Sequence, residues 1–264
     1  MQSYINELSL YMNVLVLIFS RLTGMLIIAP IFGRNNLPNI FKLAIALAMS
    51  IVVLPATLEW SEQINQLDFG IVVLFSIKEF LIGLLIGYIF NLFFSAFLIA
   101  GGMIDMDIGF AVARIIDPQG GVDTSVTGNF LYIFATLIFL ILDGHHQMLK
   151  LIVKSFELLP VQAPLNLGPA YMEIIIRLIG DVFIYSIKLA VPIIITIFIV
   201  NMVLGILART MPQMNVFIVG MPLKIFVGML VMNFIILRYD SSVKGIINGG
   251  IAFVLEILHI LRGV

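Results

Sequence analysis

Residues 101–128 read GGMIDMDIGFAVARIIDPQGGVDTSVTG, a loop of mixed character that is neither a membrane helix nor an ordinary polar loop, and the rest of the chain is arranged around it. Glycine pairs stand at Gly101-Gly102 and Gly120-Gly121, and Pro118 ends any helix before it, so local chemistry predicts an insert hinged at both ends. Between the hinges Met103, Ile104, Met106, Ile108 and Phe110 alternate with Asp105 and Asp107. A solvated loop has no need of such large apolar side chains, and a lipid-embedded one could not accommodate the aspartates or unpaired backbone groups. The environment that accepts both is a protein-lined cavity or pore at membrane depth. The stretch is therefore a candidate constriction, weighed against a re-entrant connector packed on its own helices, a role that methionine serves equally well.

Outward from this insert the chain is strongly apolar. Of 264 residues, 61% are hydrophobic and only 11% charged, which is the composition of an integral membrane protein. Apolar runs of about 20 residues recur and alternating ten-residue strands do not, so the expected class is an all-α membrane protein. Fourteen basic residues balance 15 acidic ones, leaving no basic surface for nucleic acid. With no cysteine, disulfides, iron–sulfur clusters and thiol catalysis are excluded together. The opening MQSYINELS lacks Lys and Arg, so the first apolar segment is expected to stay in the mature protein.

Immediately before the insert, Phe69 to Ala100 predicts one helix about 48 Å long, well beyond the roughly 30 Å hydrocarbon thickness. Glu79, Gly83, Gly87, Asn91 and Ser95 recur at spacing four along it, a ridge of small and polar side chains suited to close helix packing. The first segment, Leu10 to about Phe32, carries Arg21 near its middle. An arginine there costs roughly 3 kcal/mol on insertion scales, so it must face protein or water. After the insert, Asn129 to Leu142 is apolar but short, and the prolines 160, 164 and 169 mark a connector and the best internal boundary.

Tyr171 to Leu207 predicts a helix of about 55 Å, kinked at Pro192. Arg177, Asp181 and Lys188 fall within about 40° on its surface, a charged stripe expected to be buried against polar groups of other helices. A sixth segment spans Val216 to Leu237, and a short last helix is expected over Ile251 to Leu261 beyond a RYDSSVKGIINGG connector. Loop charges follow an outside, inside, outside order only for the first segments. Asp105, Asp107, Asp117 and Asp123 then fall where basic residues are required, which suits helices covered by other proteins rather than simple crossings.

Asp143-Gly-His145-His146 is the one group with metal-ligand chemistry, but adjacent histidines lack the i, i+4 geometry of one helical face, so a structural or interfacial role is preferred and no metal or cofactor is assigned. No nucleophile stands at a recognisable catalytic spacing, and no enzyme activity is expected.

The order Arg21, Pro30, Pro38, Lys42, then GGMIDMDIGFAVARIIDP at 101–118, then DGHH at 143–146, resembles the FliR family of flagellar type III export-apparatus membrane proteins, related to the T-type injectisome subunit. The stretch KLAVPIIITIFIVNMVLGILARTMPQMNVFIVGMPLK at 188–224 is similar to the helical hairpin of the partner FliQ, at Pro192, Gln213, Asn215, Pro222 and Lys224. The resemblance implies a FliP-like part over residues 1–168, with a plug loop at 101–128, and a FliQ-like hairpin with a C-terminal helix over 169–264. It implies assembly with FliP and FliQ into a helical export gate in the bacterial inner membrane at the flagellar basal body, partly displaced to the periplasmic side, with FlhB and FlhA as further partners and unfolded substrates as cargo. Met103, Ile104, Met106, Ile108 and Phe110 would form the plug and Gly101, Gly102, Gly120 and Gly121 its hinges. Arg21, Glu79, Asn91, Arg177, Asp181, Lys188, Gln213, Asn215 and Lys224 would make polar contacts between helices. The alternative is a stand-alone secondary transporter with an intramembrane charged site at Arg177, Asp181, Lys188 or Glu256.

Overall fold

The computed structural model describes residues 2–33, 38–55, 69–111, 125–166, 168–213, 215–236 and 239–263; for 2–11 and 169 it describes the backbone alone. Among the described residues there are eight helices and no strand: α1 (Gln2–Ile28), α2 (Asn39–Val53), α3 (Phe69–Ile108), α4 (Val126–Ile141), α5 (Gly144–Leu158), α6 (Pro169–Thr210), α7 (Val216–Ile236) and α8 (Tyr239–Arg262). Helices α3, α6, α7 and α8 have the length and apolar composition to cross a membrane, and α4 with α5 adds a fifth apolar length bent by 70°. The protein is an all-α membrane protein, as its composition requires.

Three boundaries differ from those expected. Helix α3 does not stop at Ala100 but runs to Ile108, 40 residues in all, and ends where Gly109 takes a φ of 105°. Glycine is the residue that closes a helix in this left-handed conformation without strain. The connector after DGHH begins as helix α5, because Met148, Leu151, Ile152, Ser155 and Phe156 give it one continuous buried face. The last helix starts at Tyr239, twelve residues earlier than expected. Gly250 lies within it where an aromatic ring approaches: a Cβ there would sit 3.1 Å from the ring of Phe90. Helix α6 is continuous through Pro192.

The chain forms two compact units. The first comprises residues 1–92, 143–176 and 248–264. In it α1 and α3 approach backbone to backbone: a Cβ on Gly83 would lie 1.9 Å from the carbonyl oxygen of Arg21, one on Gly87 2.6 Å from that of Met25, and one on Gly24 2.3 Å from that of Phe80. The ridge at spacing four is thus a packing seam within the chain. Asn91 closes its far end by donating to the carbonyl of Ile28 at 2.9 Å.

The second unit comprises residues 93–142 and 177–247. Its core is aromatic. Phe94 meets Phe97, Tyr132 and Phe139 edge to face, with ring centroids 5.3 to 6.0 Å apart, and Tyr239 packs on Phe97 and Phe134. Such arrangements set the positive ring edge against the negative face of the next ring.

Candidate functional site

The interleaved aspartates and apolar residues of 101–110 are explained by the helix they form. At 3.6 residues per turn Gly101, Ile104, Asp105 and Ile108 share one face of α3, and all four are buried. Met103, Met106 and Asp107 share the other, with Phe110 just past the helix end. Met106 is 74% exposed, and the remaining three are half-buried. The expected constriction residues therefore separate into two kinds: Ile104 and Ile108 are core side chains of this unit, while Met103, Met106 and Phe110 are turned toward whatever borders it.

The buried face is fastened within the second unit by three contacts. Gly101 crosses Gly128 of α4 so closely that a Cβ on Gly101 would lie 2.1 Å from the Gly128 Cα, so the glycine expected as a hinge is a close-packing position inside an unbroken helix. Gly102 beside it has open space, with nothing within 4 Å of an added Cβ. Asp105 accepts from the Ser125 hydroxyl at 2.6 Å and from the Thr127 amide at 3.3 Å, while Ser125 caps α4 by accepting from the Gly128 amide at 2.8 Å. A carboxylate at the positive end of a helix satisfies amides that α4 cannot satisfy itself. Ile108 then lies on Gly228 of α7, where an added Cβ would come within 2.4 Å of its side chain. The glycines at 120 and 121 fall outside the described residues.

Two clefts border this helix end. One, of about 400 Å³, is lined by Met106, Asp107, Asn201, Phe217, Met221 and Lys224, so that a carboxylate and an ammonium share it. The other, of about 340 Å³, includes Phe110, Phe130, Met229 and Met232. Ile108 contributes to both. Methionine and phenylalanine give such walls an adaptable apolar lining.

In the first unit Arg21 is fully buried, and each of its three guanidinium nitrogens donates a hydrogen bond. Its Nε donates to Glu79 Oε2, its Nη1 to Ser155 Oγ at 2.9 Å and its Nη2 to the carbonyl of Leu159 at 3.0 Å, with the guanidinium 3.8 Å from the centre of the Phe156 ring. Lys78, next along α3, reaches past the same corner to the carbonyls of Val161 and Ala163, both at 2.6 Å. Arg21 and Lys78 thereby satisfy carbonyls that the end of α5 and its following turn leave open. Arg21 thus meets Glu79 of α3 and Ser155 of α5; Ser155 and the main-chain acceptors have no signal in the sequence beyond their place before a proline.

The charged stripe on α6 is not buried in this chain. Arg177 and Lys188 are exposed and Asp181 half-buried, because α6 turns Ile174, Leu178, Val182, Leu189, Ile193 and Ile197 inward instead. Lys188 lies 5.7 Å from the Tyr185 ring. Asn215 caps α7, its Oδ1 accepting from the amides of Phe217 at 3.1 Å and Ile218 at 3.3 Å, and Gln213 in the same turn is exposed. The Asn215 side-chain oxygen is thus taken by the start of its own helix.

Comparison with known proteins follows the same outline. The model of the family described as bacterial export proteins, family 1, matches residues 12–249. The chain is 34% identical to the flagellar biosynthetic protein FliR of Bacillus subtilis over 224 residues, covering 82% of this chain and 83% of that protein. It is 33% identical to the protein of the same name from Pectobacterium carotovorum, over 83% of this chain and 82% of that protein. The Aquifex aeolicus FliR is 31% identical over 84% of each.

Proposed function

Since this chain belongs to the bacterial export proteins of family 1, we propose that it is a subunit of the flagellar type III export gate in the bacterial inner membrane, where it helps to form and close the channel for unfolded flagellar substrates. In this reading residues 1–168 act as a FliP-like part and 169–264 as a FliQ-like hairpin with a C-terminal helix. FliP and FliQ cover the apolar flanks, FlhB and FlhA adjoin the assembly, and the whole stands partly on the periplasmic side. The relatives are flagellar biosynthetic proteins by name, and the export family supports a role in transport rather than catalysis.

The observation that carries the reading is the split helix end of α3. One face is fixed by Gly101, Asp105 and Ile108, and the other leaves Met106 uncovered between half-buried Met103 and Phe110. An apolar constriction excludes ions by making hydration of the gap unfavourable, and unbranched or aromatic side chains can part around a passing polypeptide without sequence preference. Arg177, Asp181 and Lys188 would meet partner helices, since lipid is a poor neighbour for them.

The test is ion leakage in membranes bearing the assembled complex. Replacing Met103, Met106 and Phe110 together by alanine should raise leakage several-fold with complex yield unchanged. Permeability equal to the parent's in a fully assembled complex removes the plug from the proposal.

A further inference from the structure

We propose that Asp143, His145 and His146, at the bend between α4 and α5, form a binding site for one borderline divalent transition-metal ion of the Zn²⁺ or Ni²⁺ type. The three side chains offer one carboxylate oxygen and two imidazole nitrogens, all within 4.8 Å of one another. Carboxylate with imidazole is a donor set that suits these ions, and three protein ligands leave a further position for water.

The local backbone explains how adjacent histidines come to share a site although they cannot share one face of a regular helix. Asp143 sits in the left-handed region, with φ 55° and ψ 28°, and it alone among the described non-glycine residues has positive φ. That turn starts α5 at Gly144, so the two imidazoles lie in its first turn, with ring centres 4.2 Å apart. An aspartate at this position ordinarily caps the helix, yet the Asp143 side chain makes no capping bond. Its Oδ1 lies instead 3.2 Å from His146 Nδ1. This contact is an i, i+3 hydrogen bond, and an ion that displaced its proton would find the two atoms close to the roughly 3.3 Å that separates two ligands of a tetrahedral zinc.

His145 supplies the third observation. Its Nδ1 is buried and has no hydrogen-bond partner, which leaves a ring nitrogen at this corner unsatisfied. Asp143 and His146 remain accessible, with side chains 72% and 61% exposed, so an ion can enter from solvent. The negative carboxylate offsets the positive helix end that would otherwise repel a cation.

The composition makes the experiment clean. The chain has no cysteine and three histidines, of which His259 is the one outside this group. The full-length chain, carrying a tag without histidine and purified in detergent or in its complex, is stripped with chelator and titrated with Zn²⁺ by calorimetry and by equilibrium dialysis with elemental analysis. One Zn²⁺ per chain at micromolar concentration is expected, with His259→Ala unchanged. His145→Gln and Asp143→Asn should each weaken binding at least tenfold. Asp143→Asn is the decisive variant, because asparagine keeps the left-handed turn while removing the charge. Stoichiometry below one, or equal affinity in the parent and a folded His145→Gln/His146→Gln chain, overturns the site.

Discussion

Arg21 of α1 and Glu79 of α3, 58 positions apart in sequence, form an ion pair in which both side chains are fully buried. Arg21 also takes the Ser155 hydroxyl and the Leu159 carbonyl, so α1, α3 and the end of α5 meet at one guanidinium. A buried pair of this kind is not in itself a large source of stability, because desolvating both charges offsets most of their attraction. What it provides is a severe penalty for losing one member. Replacing Arg21 by methionine should destabilise the chain by about 3–5 kcal/mol, since it leaves a buried carboxylate alone. The double change Arg21→Met with Glu79→Leu should be milder than either single change. Thermal loss of the monodisperse peak in detergent measures all three, and a double variant worse than both singles would show that the pair contributes more than mutual neutralisation.

Glycines on α3 separate by their neighbours. Gly83→Ala places a methyl against the Arg21 carbonyl, a backbone atom that cannot step aside, and should sharply lower the yield of folded chain. Gly102→Ala meets nothing within 4 Å in this chain and should raise helix stability by up to about 1 kcal/mol. Chemical denaturation of the purified chain reads the difference. Should Gly102→Ala leave the chain stable but prevent its export function, the glycine serves flexibility or a partner helix.

Asp105→Ala removes the acceptor of Ser125 and Thr127, and should cost about 1–3 kcal/mol from the polar groups left buried. Asp107→Asn, on the half-buried face, should leave stability within about 0.5 kcal/mol. Hydrogen exchange at the first turn of α4 distinguishes them: faster exchange is expected in Asp105→Ala alone.

Ile108→Ala should lose about 1–3 kcal/mol by opening a void against Gly228, less than in a water-soluble core because lipid removes most of the hydrophobic term. Met106→Ala should leave stability unchanged and act only on leakage. Melting temperatures of the two single variants test the division of this helix end into an anchoring and an exposed face. Equal losses would abolish it.

Much of this was written in the residues. The apolar runs set the helical class, because an unsatisfied peptide group in hydrocarbon is prohibitive whatever the fold. Arg21 declared itself by being impossible to expose to lipid, and the glycines at spacing four announced a close helix contact. At 101–108 the glycine pair and the mixture of aspartate with methionine point to a loop, whereas the helix runs on to Ile108, because Gly101 answers a crossing with Gly128 and Asp105 a cap on α4. Both partners lie more than 20 residues away.

The sequence alone determined what had to be hidden: greasy segments from water, and isolated charges from lipid. Transfer free energies act on each residue wherever its neighbours are, so such demands can be read locally. Only the tertiary structure decided the companions, that Arg21 would find Glu79 and Ser155, that Asp105 would cap a helix, and that Arg177 and Lys188 would stay on the surface of this chain. Those choices depend on which helix faces come within a few ångströms of one another, and contact energies of that range exist only once the helices have packed.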